Sequence, residues 1–87
     1  MTRLHDRAHK VHEAIRRGEG LKALFYLPKP PSVGGWHWQA FGVDSDRGQK
    51  MLSKFPQYWV GNFLPNVGFD HLIELMADEE KKPGETS

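Results

Sequence analysis

The chain has 87 residues, 38% of them apolar and 26% charged, with a net charge of +1, nine glycines, six prolines and no cysteine. That suits one small folded domain and excludes a multidomain enzyme, a disulfide scaffold, thiolate metal centres and cysteine nucleophiles. A domain this size buries only roughly 60–65% of the surface its unfolded chain exposes, which leaves no room for a deep, water-excluding active site.

Charge is unevenly spread. Residues 1–17 set Arg3, Arg7, Lys10, Arg16 and Arg17 against Asp6 and Glu13, a net +3. Residues 70–87 set Asp70, Glu74, Asp78, Glu79, Glu80 and Glu85 against Lys81 and Lys82, a net −4. Such asymmetry steers a charged partner, or lets the two ends face one another within a molecule or a homodimer. The polar N-terminus carries no signal-type apolar stretch. The longest apolar run, Ala23 to Leu27, is far short of the roughly 20 residues of a membrane span. A cytoplasmic protein with no membrane partner is the expectation.

Residues 2–17 read as a helix. Leu4, Ala8, Val11 and Ile15 fall on one narrow stripe, Thr2 is placed to cap it, and Gly18 and Gly20 stop it. Leu21 to Leu27 reads as a strand. Its weak alternation implies burial on both faces, and Pro28, Pro30 and Pro31 end it. Trp36 to Val43 reads as a second strand, hairpinned to the first, with Trp36, Trp38 and Ala40 on one face and His37, Gln39 and Phe41 on the other. Asp46 and Gln49 have capping-box spacing ahead of a short helix bearing Met51, Leu52 and Phe55, which Pro56 ends. Tyr58 to Leu64 reads either as a third strand or as an irregular aromatic link, because Gly61 and Asn62 interrupt it. Phe69, Leu72, Ile73 and Met76 mark a last helix over 69–80, followed by a disordered tail over 81–87. The expected fold is a small α+β domain over residues 1–80: an N-terminal helix, a two- or three-stranded antiparallel sheet, and two further helices packed on one face.

Three constellations bear on function. Trp36, Trp38, Tyr58 and Trp59 concentrate large aromatic rings, which either form the core of a small domain or present a protein-binding surface. His5, His9 and His12 share one helix face at i, i+4 and i+7. They read as a solvated polar face or, with a further ligand, as an open metal site. Arg3, Arg7 and Lys10 make the first helix basic enough to touch phosphates, although no recognition-helix pair, RNP-type strand or zinc finger accompanies them. Pro28-Lys29-Pro30-Pro31 contains a PxxP spacing that reads first as a stiff loop. Asp44, Asp46, His37 and His71 are isolated, and no nucleophile is paired with a base, so no catalytic residue and no cofactor is expected.

The leading expectation is a non-catalytic binding module. It would act as a regulator, adaptor or inhibitor of a larger protein assembly through the aromatic surface and its charged rim. Nucleic-acid binding through Arg3, Arg7 and Lys10 is the alternative, and metal binding through the histidines is the third reading.

Overall fold

A computed structural model describes residues 3–85. Thr2, the expected cap of the first helix, lies outside the described residues, as do the last two residues of the expected tail. The order of elements is α1 (Leu4–Arg16), β1 (Lys22–Pro28), β2 (Trp36–Gly42), α2 (Asp46–Lys54), a 3-10 turn (Pro56–Tyr58), β3 (Trp59–Phe63) and α3 (Phe69–Glu85). This is the α+β domain the sequence implies, with a three-stranded antiparallel sheet.

β1 is the centre strand. It pairs with β2 in a plain hairpin register from Lys22↔Gly42 to Pro28↔Trp36. The hairpin loop closes through Lys29 N–H donating to the Gly35 carbonyl, with Gly34 and Gly35 both at positive φ, a region that side chains with a Cβ avoid. On its other side β1 pairs antiparallel with β3, the register slipping between Leu24 and Phe25. The segment that reads two ways is thus a strand, and its irregularity is a bulge. Flanked on both edges and covered on both faces, Ala23, Leu24 and Phe25 are fully buried. That is why β1 lacks alternation.

With the order β2-β1-β3, β2 and β3 run parallel, so the chain crosses the sheet between them. α1 and α3 pack together on one face. Ala8, Val11 and Ile15 of α1 meet Leu72 and Met76 of α3 over Leu24 and Phe63, with Trp38 and Ala40 packed alongside. The placement of helices on one face therefore holds for α1 and α3. α2 meets the opposite face, where Arg47 lies 5.7 Å over the Phe41 ring and Phe41 meets Phe25 edge-on at 5.9 Å.

The start of α2 corrects the expected capping box. Ser45, not Asp46, is the N-cap. Its hydroxyl accepts from Gly48 N–H at 3.0 Å and donates to the Gly42 carbonyl at 2.7 Å. Gln49 donates to the Val43 carbonyl at 2.6 Å instead of closing a box. The shift follows from Gly48, whose Cα lies so near the Gly42 carbonyl that a Cβ there would overlap it. Only glycine lets the helix begin this close to the end of β2.

α3 begins as expected, with Leu72 N–H donating to the Gly68 carbonyl, and it runs five residues past Glu80. An i,i+3 ion pair, Lys82 to Glu79 at 3.0 Å, ties this stretch to the turn before it. No helix among the described residues is long and apolar enough to cross a membrane.

Candidate functional site

Alternation along β1 and β2 puts Tyr26, Trp36 and Trp38 on the α1/α3 side of the sheet. Tyr26 lies between the two tryptophans as a stacked slab, 4.3 Å from Trp38 at 25° and 5.3 Å from Trp36 at 30° between planes. The 3-10 turn brings Tyr58 edge-on to Trp36 at 5.9 Å and 76°. Pro56 sets this turn, fixing φ where the chain leaves α2. Trp59 follows, its indole N–H donating to the Asn62 side chain at 3.0 Å.

These rings line an open groove of about 250 Å³ between the sheet and the C-terminal half of α3. Tyr26, Trp36, Tyr58 and Trp59 form its aromatic lining, and Glu79 and Lys82 border it from α3. Trp36 and Trp59 stay 36% and 44% exposed. Three of the four aromatic residues singled out in the sequence are therefore brought together. The fourth, Trp38, is not part of this surface. It packs against the core, and its indole N–H donates to the Glu80 carboxylate at 2.8 Å. Tyr26 takes its place in the groove. Its place inside the central strand gave no linear signal that its ring faces outward at one end.

Beneath the groove, Glu80 joins three elements. Its carboxylate accepts from Arg7 Nε at 3.0 Å and Nη2 at 2.7 Å, as well as from Trp38. α1, β2 and α3 thus meet at one ion pair, whose side chains retain 33% (Arg7) and 17% (Glu80) exposure. Burial pushes the Glu80 carboxyl up, yet the hydrogen bonds from Arg7 and Trp38 together outweigh it and hold it below the usual carboxylate range. The same bond raises Arg7. Tyr26 is raised, first by desolvation and then by the nearby Glu80 charge.

Of the basic residues considered for phosphate contact, Arg7 is thus engaged with Glu80, while Arg3 and Lys10 are exposed. Lys10 instead borders a second, smaller groove of about 180 Å³ with Lys29, His37 and the two β2 tryptophans. Trp36 is the ridge between a groove edged by Glu79 and Lys82 and one edged by Lys10 and Lys29.

The histidine trio surrounds a phenyl ring. His9 stacks on Phe69 at 4.4 Å, and His5 and His12 meet that ring edge-on at 5.4 and 5.7 Å. His12 Nε2 is 2.7 Å from the Val67 carbonyl, a bond in which the ring nitrogen must donate. The trio is accordingly divided: His5 and His9 stay adjacent, with ring centroids 4.6 Å apart, while His12 is turned to the backbone. Among the described residues no group of three or more histidine, aspartate or glutamate side chains is disposed to hold a metal ion.

Compared with protein-family models, curated proteins and solved structures, the chain matches none of them.

Proposed function

We propose that this chain is a non-catalytic protein-binding module whose contact surface is the groove lined by Tyr26, Trp36, Tyr58 and Trp59. A small regulator, adaptor or inhibitor of a larger assembly fits this reading. The observation that carries it is the convergence of partly exposed rings from four elements on one open groove, while the core is completed without them. The exposed parts of Trp36 and Trp59 amount to roughly 200 Å² of side-chain surface, given about 250 Å² for a whole tryptophan. Covering that area is worth about 5 kcal/mol before the costs of association. Stacked on Tyr26 and met edge-on by Tyr58, the Trp36 ring is pre-positioned, so little side-chain entropy is lost when a partner arrives.

The test is capture from native lysate by the tagged full chain, with and without nuclease, alongside Trp36→Ala and Tyr58→Ala proteins whose fold is verified by circular dichroism. A protein retained by the wild type, resistant to nuclease and lost with both variants supports the reading. Identical capture by all three refutes it.

A second reading, nucleic-acid binding, is favoured by one observation: Lys10 and Lys29 edge a groove that also contains tryptophan, a pairing suited to stacking beside phosphate. It predicts an affinity for single strands that falls steeply with salt and is lost on replacing Arg3, Lys10 and Lys29. Affinity independent of salt removes it.

A further inference from the structure

We infer that the aromatic groove takes an organic cation, the guanidinium or ammonium of a basic peptide segment on the protein partner. The inference rests on the reading of the groove as a protein-binding surface and supplies the chemistry of its occupant. Trp36 and Tyr58 meet nearly at right angles, 76° apart, so a group entering the groove meets two differently oriented ring systems. Ring faces carry negative quadrupole charge, and tryptophan is the best cation acceptor among them. The one acidic side chain in the lining, Glu79, sits on the α3 wall of the same groove.

Charge complementarity extends beyond the pocket. Glu79 and Lys82 also border a second depression along α3 that contains Glu74 and Asp78, both exposed. A basic segment with one cation against Trp36 would lay its neighbouring residues along this acidic row. An acidic segment or a phosphate would meet Glu74, Asp78 and Glu79 in succession. Lys82 already holds an ammonium 3.0 Å from the Glu79 carboxylate. That pair shows the groove edge accommodating a cation, and as an exposed i,i+3 contact it yields readily to a competitor. Lys82 therefore acts as a resident competitor for Glu79.

The experiment titrates the full chain with a capped Gly/Ser peptide bearing a central arginine between lysines, and with its twin carrying citrulline, which keeps the shape and removes the charge. Indole N–H resonances of Trp36 and Trp59 give the readout. The arginine peptide is expected to bind about tenfold more tightly than the citrulline twin, shifting the Trp36 resonance. Glu79→Gln removes most of that preference, and Lys82→Ala strengthens binding about twofold. Lys82 is exposed, and Glu79, half-buried at the groove wall, is replaced by an amide of the same shape, so the fold tolerates both substitutions. Equal binding of the twins, or no indole shift at millimolar peptide, overturns the cation assignment and leaves the binding-module reading standing. That reading falls separately, when Trp36→Ala and Tyr58→Ala capture the same proteins as the wild type.

Discussion

Replacing Glu80 probes how three elements distant in sequence are held in register. Arg7 and Glu80 are separated by 73 positions and Trp38 and Glu80 by 42, yet one carboxylate accepts from both partners. Glu80→Ala removes three charge-assisted hydrogen bonds and leaves the Arg7 guanidinium and the Trp38 indole N–H facing space the carboxylate filled. Bonds to charged groups contribute about 1.5–3 kcal/mol each when well buried. A third of the Arg7 side chain is exposed, so water replaces part of what is lost. The expected net loss is about 2 kcal/mol, or roughly 8–16 °C in Tm for a domain of this size.

The pH dependence supplies the sharper test. Because the Glu80 carboxyl is held below its ordinary value in the folded state, its contribution is fully present above the unfolded-state pKa of about 4.3. The contribution fades as pH falls through the lower folded value. Urea denaturation from pH 7 to pH 3 should show the wild type losing this increment in acid, while Glu80→Gln starts lower and falls less. An Arg7→Met, Glu80→Gln double-mutant cycle should give a coupling energy of about 1 kcal/mol or more at pH 7 that vanishes in acid. Single substitutions costing under about 0.5 kcal/mol, or parallel acid curves for wild type and Glu80→Gln, would refute the reasoning, since surface pairs commonly contribute that little.

Other substitutions separate core from surface. Gly48→Ala should destabilise by up to about 2 kcal/mol: overlap with the Gly42 carbonyl costs about 1–3 kcal/mol against alanine's helix preference of about 1 kcal/mol. A stabilised variant in chemical denaturation would show that α2 moves away freely. Trp38→Ala should cost about 3 kcal/mol through lost packing and an uncovered Glu80, whereas Trp59→Ala should cost under about 1 kcal/mol. Equal losses would mean that Trp59 belongs to the core after all. Tyr26 has a raised pKa, so it favours its neutral form in the fold, and its contribution is intact below about pH 10 and fades as pH rises through the folded value. Tyr26→Phe should therefore flatten the alkaline loss of stability, and an unchanged alkaline limb would contradict that.

Local pattern carried most of the fold. The stripes at Leu4, Ala8, Val11 and Ile15 and at Phe69, Leu72, Ile73 and Met76 each place residues in one shared core, because a 3.6-residue period needs no knowledge of the partner. The Trp59–Phe63 strand was harder to read, since Gly61 and Asn62 break the alternation and pairing with β1 is set across the sheet. Ser45 outcompetes Asp46 as the cap because of a backbone approach at Gly48, which no spacing rule contains. In the site, aromatic content pointed to Trp36, Tyr58 and Trp59. It could not separate Trp38 from them, because what withdraws Trp38 is Glu80, a residue about three turns into a distant helix. The histidine spacing was legible as a shared face, but Phe69, which occupies that face, comes from the other end of the chain.

The central claim is that the exposed rings form a contact surface rather than an unfinished core. The most direct measurement is paired: chemical denaturation of Trp36→Ala and Tyr58→Ala, and capture from native lysate by the same two proteins. The account predicts that both variants stay folded, each costing less than the roughly 3 kcal/mol of Trp38→Ala, together with loss of a nuclease-resistant protein partner. Unfolding of both variants, or retention of the same captured proteins by folded variants, would contradict it.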